Sequence, residues 1–141
     1  MAVEAQPAVV ELKIPAKPEF VGVARLAILG VASRMPFSYD EVEDIRLAVG
    51  EACTTAVERA TKANKTDADI TVRSEISGNR LTIEVEDEIG QAPEPPENVE
   101  SPEELDEQGL GALLMELLVD EFKVETTPQG GTLVRMVKYA G

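Results

Sequence analysis

Two hairpin signals constrain the fold of this chain more than any other feature of its sequence. In the first, apolar residues alternate over 70–76 and again over 81–85, with the turn residues Gly78-Asn79 between the two segments. The second spans 122–138 and turns at Pro128-Gln-Gly-Gly131. Because hairpins pair neighbouring strands antiparallel, these segments predict a mixed, mostly antiparallel sheet.

Three helices are predicted around these hairpins. The first follows a short strand that stops at Pro15, has Pro18 in its first turn and runs to about Ser33. A second, from the capping box Ser38-Tyr-Asp-Glu41, runs to about Ala63, and a third covers roughly 110–119. The order strand, helix, helix, hairpin, loop, helix, hairpin predicts an α/β (α+β) two-layer sandwich, with the three helices on one face of the sheet. We expect a single domain over residues 1–141.

Composition narrows the functions that such a domain can have. The chain carries 27 acidic and 13 basic residues, a formal net charge of -14, which disfavours direct binding of nucleic acid or anionic membrane and favours a partner protein with basic patches. There is no histidine, so imidazole metal sites and histidine-based triads are excluded. The single Cys53 is predicted to be a buried, inert thiol. With no leader-like N-terminus, we expect a cytoplasmic protein.

The segment Glu107-Gln-Gly-Leu-Gly111 precedes an apolar helical run and follows an acidic, proline-bearing stretch. Glycines at a helix start let a phosphate chain approach unpaired backbone N–H groups, although Gly-x-Gly also occurs in plain loop-to-helix turns. On the second helix, Glu51, Thr55 and Arg59 are spaced four apart and share one face. Asp87 ends the second strand of the first hairpin. Together these residues suggest a nucleotide site.

Three segments, 21–35, 39–54 and 109–121, resemble the GHKL ATPase superfamily, and more closely its anti-sigma-factor serine kinases of the RsbW and SpoIIAB type. The resemblance covers nearly the whole chain. It implies a histidine-kinase-like ATPase (Bergerat) fold, with residues 88–108 as the ATP lid. It also implies ATP and Mg²⁺ as cofactors.

The resemblance assigns roles residue by residue. Glu51 matches the catalytic glutamate, the general base for an attacking hydroxyl. Asp87 matches the acid that accepts the adenine amino group, and Thr132 the threonine near adenine. The predicted ATP-binding residues are Thr55, Arg59, Asp87, Gly90, Gly109, Leu110, Gly111 and Thr132. Of these, Arg59 is placed by spacing, since it lies one turn beyond Thr55 where its guanidinium can face phosphate. For Arg59 the alternative is a surface arginine paired with Glu58 or another nearby acid.

The family scheme implies an anti-sigma factor that sequesters an RNA polymerase sigma factor. It would use ATP to phosphorylate a serine on an anti-anti-sigma protein of the STAS type, and it would form a homodimer. The alternative is a degenerate member that only binds proteins. Two departures from the family pattern support that alternative: Thr55 stands where an asparagine ligates Mg²⁺, and Ile89 stands at the glycine position of the adenine motif.

Overall fold

The computed structural model describes residues 7–89 and 107–141, with only the backbone described at 107 and 108. Its helices and strands follow the predicted order. They are β1 (Ala8–Pro15), a 3-10 turn (Pro18–Phe20), α1 (Val21–Ala32), α2 (Tyr39–Lys62), β2 (Asp69–Ser77), β3 (Arg80–Asp87), α3 (Glu107–Leu118), β4 (Glu121–Thr126) and β5 (Thr132–Tyr139).

The five strands form one sheet in the order β1-β2-β3-β5-β4, and every neighbouring pair is antiparallel. The two predicted hairpins are β2–β3 and β4–β5, joined side by side through β3 and β5. Gly78 adopts a φ of 60° at the first turn, a conformation that glycine reaches without steric cost. The join between the hairpins places Asp87, the last residue of β3, opposite Thr132, the first residue of β5.

The helices cover one face of this sheet, as predicted for a two-layer sandwich. Alternate residues of β2 and β3 point into a core of aliphatic side chains, because successive strand residues face opposite sides of a sheet. Helix α2 lies between α1 and α3 and contributes much of that core. Its fully buried apolar residues are Ile45, Ala48, Val49, Ala52, Cys53, Ala56 and Ala60.

The predicted capping box starts α2. Ser38 Oγ accepts a hydrogen bond from the Glu41 backbone N–H at 3.1 Å, and the Ser38 N–H donates to Glu41 Oε1 at 2.9 Å. These two bonds satisfy donors that a helix start otherwise leaves unpaired. They fix where α2 begins, and therefore which residues of this 24-residue helix face α3.

Two helix starts differ from prediction. Residues Pro18–Phe20 form a separate 3-10 turn, so α1 begins at Val21. Helix α3 begins at Glu107 rather than near Leu110, so the two glycines lie within its first turns. Glycine weakens a helix by only about 1 kcal/mol, which the packing of α3 against α2 overrides. Within the described ranges no helix is long and apolar enough to cross a membrane.

Cys53 lies in the core with no exposed surface, and burial raises the pKa of its thiol to about 12. Because the thiolate is the reactive form, we expect Cys53 of the native protein to resist a disulfide-exchange reagent at pH 8 and to react fully in denaturant. Time courses of thiol titration with and without denaturant check this. Equal rates in the two conditions would contradict the burial.

Candidate active site

The three polar residues predicted to share one face of α2 do so, but their exposure differs. Glu51 is half-buried, Thr55 is 4% exposed, and the Arg59 side chain is 11% exposed. The row begins at Glu51 beside α3 and ends at Arg59 near the end of β3. One face of α2 therefore spans the distance from the α3 glycine segment to the sheet.

Gly111 brings the α3 backbone directly against Glu51. A Cβ at position 111 would collide with Glu51 Oε1, and it would lie 3.3 Å from Glu51 Cδ and 3.2 Å from Thr55 Cγ2. The structure thus brings a glycine of α3 into contact with the α2 carboxylate. Only glycine leaves the space that the Glu51 carboxyl group fills here.

The environment of Glu51 raises the pKa of its carboxyl group. The main cause is burial, which disfavours the charged form; the negative charge of Glu58 acts in the same direction, and the positive charge of Arg25 opposes both. A raised pKa suits a carboxylate that must accept a proton near neutral pH. The charged side chains that shift the pKa of Glu51 thus lie on both α1 and α2.

Arg25 is a residue of this site that the sequence reasoning missed. Its guanidinium crosses α2 at Gly50, where a Cβ would lie 3.0 Å from Arg25 Cζ and 2.9 Å from Nη2. The signal that could have found it is Gly50 itself, because a glycine in the middle of a long helix often has a packing reason.

Asp87 has a side chain with no exposed surface, and both of its carboxylate oxygens are bonded. Oδ2 accepts from Arg59 Nη2 at 2.6 Å, and Oδ1 accepts from the Ile89 backbone N–H at 3.1 Å. The acid that pairs with Arg59 is therefore Asp87, and the arginine is mostly buried rather than at the surface. Ile89, 2% exposed, contributes its N–H to the carboxylate that the resemblance assigns to adenine.

Thr132 lies directly across the β3–β5 ladder from Asp87 and is 2% exposed. Its Oγ1 is buried and has no hydrogen-bond partner among the residues that the structure describes. The preceding Gly131 packs so closely that a Cβ there would collide with the Asp87 carbonyl oxygen and lie 2.8 Å from Glu88 Cα. A buried hydroxyl without a partner is costly, which indicates that a ligand can supply one.

Other predicted site residues lie in different surroundings. The Thr55 hydroxyl donates to the Ala52 carbonyl at 3.0 Å, while its methyl group faces Gly111. Gly109 is half-buried in α3 and Leu110 is 47% exposed. No group of three or more acidic or cysteine side chains able to hold a metal occurs in the described part of the chain. Gly90 and most of the lid predicted at 88–108 lie outside the described residues.

These residues fit a nucleoside triphosphate. At one end, a buried acceptor carboxylate and a hydroxyl without a partner can recognise the edge of a base. At the other end, the positive end of the α3 helix dipole can attract phosphates, next to a carboxylate that can accept a proton. All of these groups lie along the α2 face and the two elements packed against it.

Comparison with known proteins agrees with this geometry. Residues 14–138 match the family model for the histidine kinase-like ATPase domain. The chain is 43% identical to the serine-protein kinase RsbW of Bacillus licheniformis and 41% identical to that of Bacillus subtilis; each alignment covers 92% of this chain and 84% of the relative. The RsbW of Oceanobacillus iheyensis is 40% identical, over 92% of this chain and 85% of its own length.

A crystal structure of the RsbU and RsbW domains of a Mycobacterium tuberculosis protein superposes with a TM-score of 0.69 over 94% of this chain. The sequence identity is 17%, so this likeness supports the fold alone, and the match covers 32% of that longer chain. The chain belongs to the histidine kinase-like ATPase domain family, and the predicted fold class is confirmed. Within that family it groups with the RsbW serine-protein kinases, as the sequence resemblance indicated.

Proposed function

We propose that this chain is an anti-sigma factor and ATP-dependent serine kinase. It sequesters an RNA polymerase sigma factor and phosphorylates a serine of a STAS-type anti-anti-sigma protein. The kinase assignment rests on about 40% identity to serine-protein kinases over most of the chain. The observation that supports it on this chain is the contact between Glu51 and the Gly111 backbone, which brings a proton acceptor to the segment proposed to bind phosphates.

In the proposed reaction the serine hydroxyl oxygen of the antagonist attacks the γ-phosphorus of ATP. The new O–P bond forms as the bond to the β,γ-bridging oxygen breaks, and ADP leaves. Glu51 accepts the hydroxyl proton, which leaves a neutral carboxyl group and a phosphoserine. The raised pKa of Glu51 makes it a stronger base than an ordinary glutamate.

Base and phosphate recognition divide between the two ends of the site. Asp87 accepts the adenine amino group, and the Thr132 hydroxyl gains the partner that it lacks in the described structure. The N-terminal turns of α3, with Gly109, Leu110 and Gly111, present the positive end of the helix dipole to the phosphates.

Mg²⁺ is expected to neutralise part of the phosphate charge, which matters for a protein whose own formal charge is -14. Thr55 is the proposed ligand in place of asparagine. A hydroxyl oxygen is among the ligands that Mg²⁺ accepts.

The proposed protein partners are inferred from the acidic charge of the chain and from its RsbW relatives. An acidic surface attracts basic partners and speeds encounter, which suits a sigma factor, whose DNA-facing regions are basic. We also propose that the chain acts as a cytoplasmic homodimer, with the exposed edge strand β4 as one possible contact.

The test is phosphotransfer with purified proteins. The chain, its cognate STAS antagonist and Mg·ATP are mixed, and the antagonist is analysed for phosphoserine by mass spectrometry; a parallel binding assay measures capture of the sigma factor. The proposal predicts both phosphoserine and sigma binding. Sigma binding without phosphoserine, unchanged in Thr55→Asn, would instead support the binding-only alternative.

The raised pKa of Glu51 predicts how activity changes with pH. A carboxylate stops acting as a base when the pH falls below its pKa. Because the Glu51 pKa is raised, phosphotransfer should decline at a higher pH than it would with an unperturbed glutamate. Because the Glu58 charge raises the Glu51 pKa, Glu58→Gln should shift the acidic limb of the pH–rate profile to lower pH. Arg25→Met should shift it the opposite way. Profiles of kcat for the three proteins check this, and an unmoved limb in both variants would contradict it.

A further inference from the structure

The ion pair between Arg59 and Asp87 links α2 to the end of β3. The Nη2–Oδ2 distance is 2.6 Å, and the two side chains are 11% and 0% exposed. Of the ion pairs in the described part of the chain, no other involves a side chain without exposed surface. A carboxylate buried without a cation is very unfavourable and tends to take up a proton instead.

Among the described residues, the other groups next to Asp87 supply no second positive charge. Ile89 gives a neutral backbone N–H to Oδ1, and Thr132 across the ladder is a neutral hydroxyl. The carboxylate of the adjacent Glu88 accepts from the Thr127 hydroxyl at 3.0 Å. Arg59 is thus the only cation that the described structure pairs with this carboxylate.

We propose that Arg59 is a positioning residue that sets base selectivity: by pairing with the Asp87 carboxylate and fixing it as a hydrogen-bond acceptor, it makes the site accept the amino group of adenine and reject a keto group. This inference rests on the proposed function, because it takes Asp87 as the base-recognition group. It differs from the expected role of Arg59 toward phosphate, since the guanidinium lies at the base end of the site.

The chemistry of the carboxyl group gives the direction of the effect. An ionised carboxylate only accepts hydrogen bonds, and each of its oxygens keeps a lone pair beyond the bonds to Arg59 and Ile89. It therefore pairs with the adenine N6 amino group and is repelled by the O6 of hypoxanthine. A protonated carboxyl group gains an O–H donor, which pairs with O6 instead.

The experiment compares Mg·ATP and Mg·ITP, which differ at C6 (an amino group against a keto group) and in the proton on N1, by calorimetric titration of the full chain. We expect the wild type to bind ATP about tenfold or more tightly than ITP. Arg59→Met removes the positive charge but keeps an unbranched side chain. The ratio of ATP affinity to ITP affinity should then fall about tenfold. A purely structural role would weaken both nucleotides alike and leave the ratio unchanged.

Two further variants complete the test. Arg59→Gln keeps N–H donors without the charge, so it should lower the ratio even if Arg59→Met does not fold. Arg46→Met removes the arginine of a more exposed pair with Glu43 on the same helix, and it should leave the ratio at the wild-type value.

The outcomes separate the two proposals. A wild type that binds neither nucleotide overturns the proposed function and this inference with it. A wild type that prefers ATP, with the preference fully retained in Arg59→Met and Arg59→Gln, overturns this inference alone. Tighter ATP binding by Arg59→Met also overturns it, since Arg59 would then compete with the nucleotide rather than prepare Asp87.

Discussion

Replacing Glu51 by glutamine should lower the rate of phosphotransfer by about 10²–10⁴-fold, the usual contribution of a positioned general base. Glutamine has nearly the same shape and still fits against Gly111, but its amide does not accept the serine proton. The fold should be retained, because a half-buried carboxyl group with a raised pKa gains nothing from its charge. Single-turnover transfer from Mg·ATP to the antagonist, with ATP affinity measured separately, checks this.

The matched control for this change is Glu116→Gln. Glu116 is an exposed glutamate on α3, so the same loss of one negative charge occurs away from the Glu51 contact. Its rate should remain within about twofold of the wild type, as for most surface changes. If Glu51→Gln transferred phosphate as fast as Glu116→Gln, Glu51 would not be the base.

Gly111→Ala should lower phosphotransfer by about 10²-fold while leaving the protein folded. The new Cβ would take the space of Glu51 Oε1, the end of a flexible side chain, so the carboxyl group must move while the helices keep their places. Displacing a catalytic group by about 1 Å is enough for an effect of this size. Alanine also favours the helix by up to about 1 kcal/mol, so thermal unfolding should occur no earlier than in the wild type.

Gly30→Ala is the control for that substitution. Gly30 also lies in a helix, and a Cβ there meets no atom within 4 Å. It should gain the same helix propensity and keep wild-type activity. Full activity in Gly111→Ala would show that the contact between α3 and Glu51 has no part in the reaction.

Local patterns in the sequence predicted most of the fold. The capping box at Ser38 and the hairpin turn at Gly78 depend on residues close together in the chain, and the structure confirms both. The alternation in 70–76 and 81–85 set the pairing of β2 with β3 and therefore placed Asp87 at a strand end. Features of this kind depend on backbone geometry within a few residues, which sequence patterns describe well.

The side-chain contacts within the candidate site could not be predicted from local sequence patterns. Arg59 and Asp87 are 28 residues apart, and their pairing depends on how α2 lies against the sheet. The same holds for Arg25, which reaches the site by crossing α2 at Gly50. The Thr55 hydroxyl bond to Ala52 depends on a side-chain rotamer, which spacing along a helix does not specify. The ATP roles assigned through family resemblance remain predictions.

The most direct test of a shared ATP site is a crystal structure of the chain with Mg²⁺ and a non-hydrolysable ATP analogue. We expect the adenine amino group on Asp87, the Thr132 hydroxyl engaged near the base, and the phosphates at the first turns of α3, beside Glu51. An analogue bound elsewhere on the chain, or a triphosphate remote from Glu51, would contradict it.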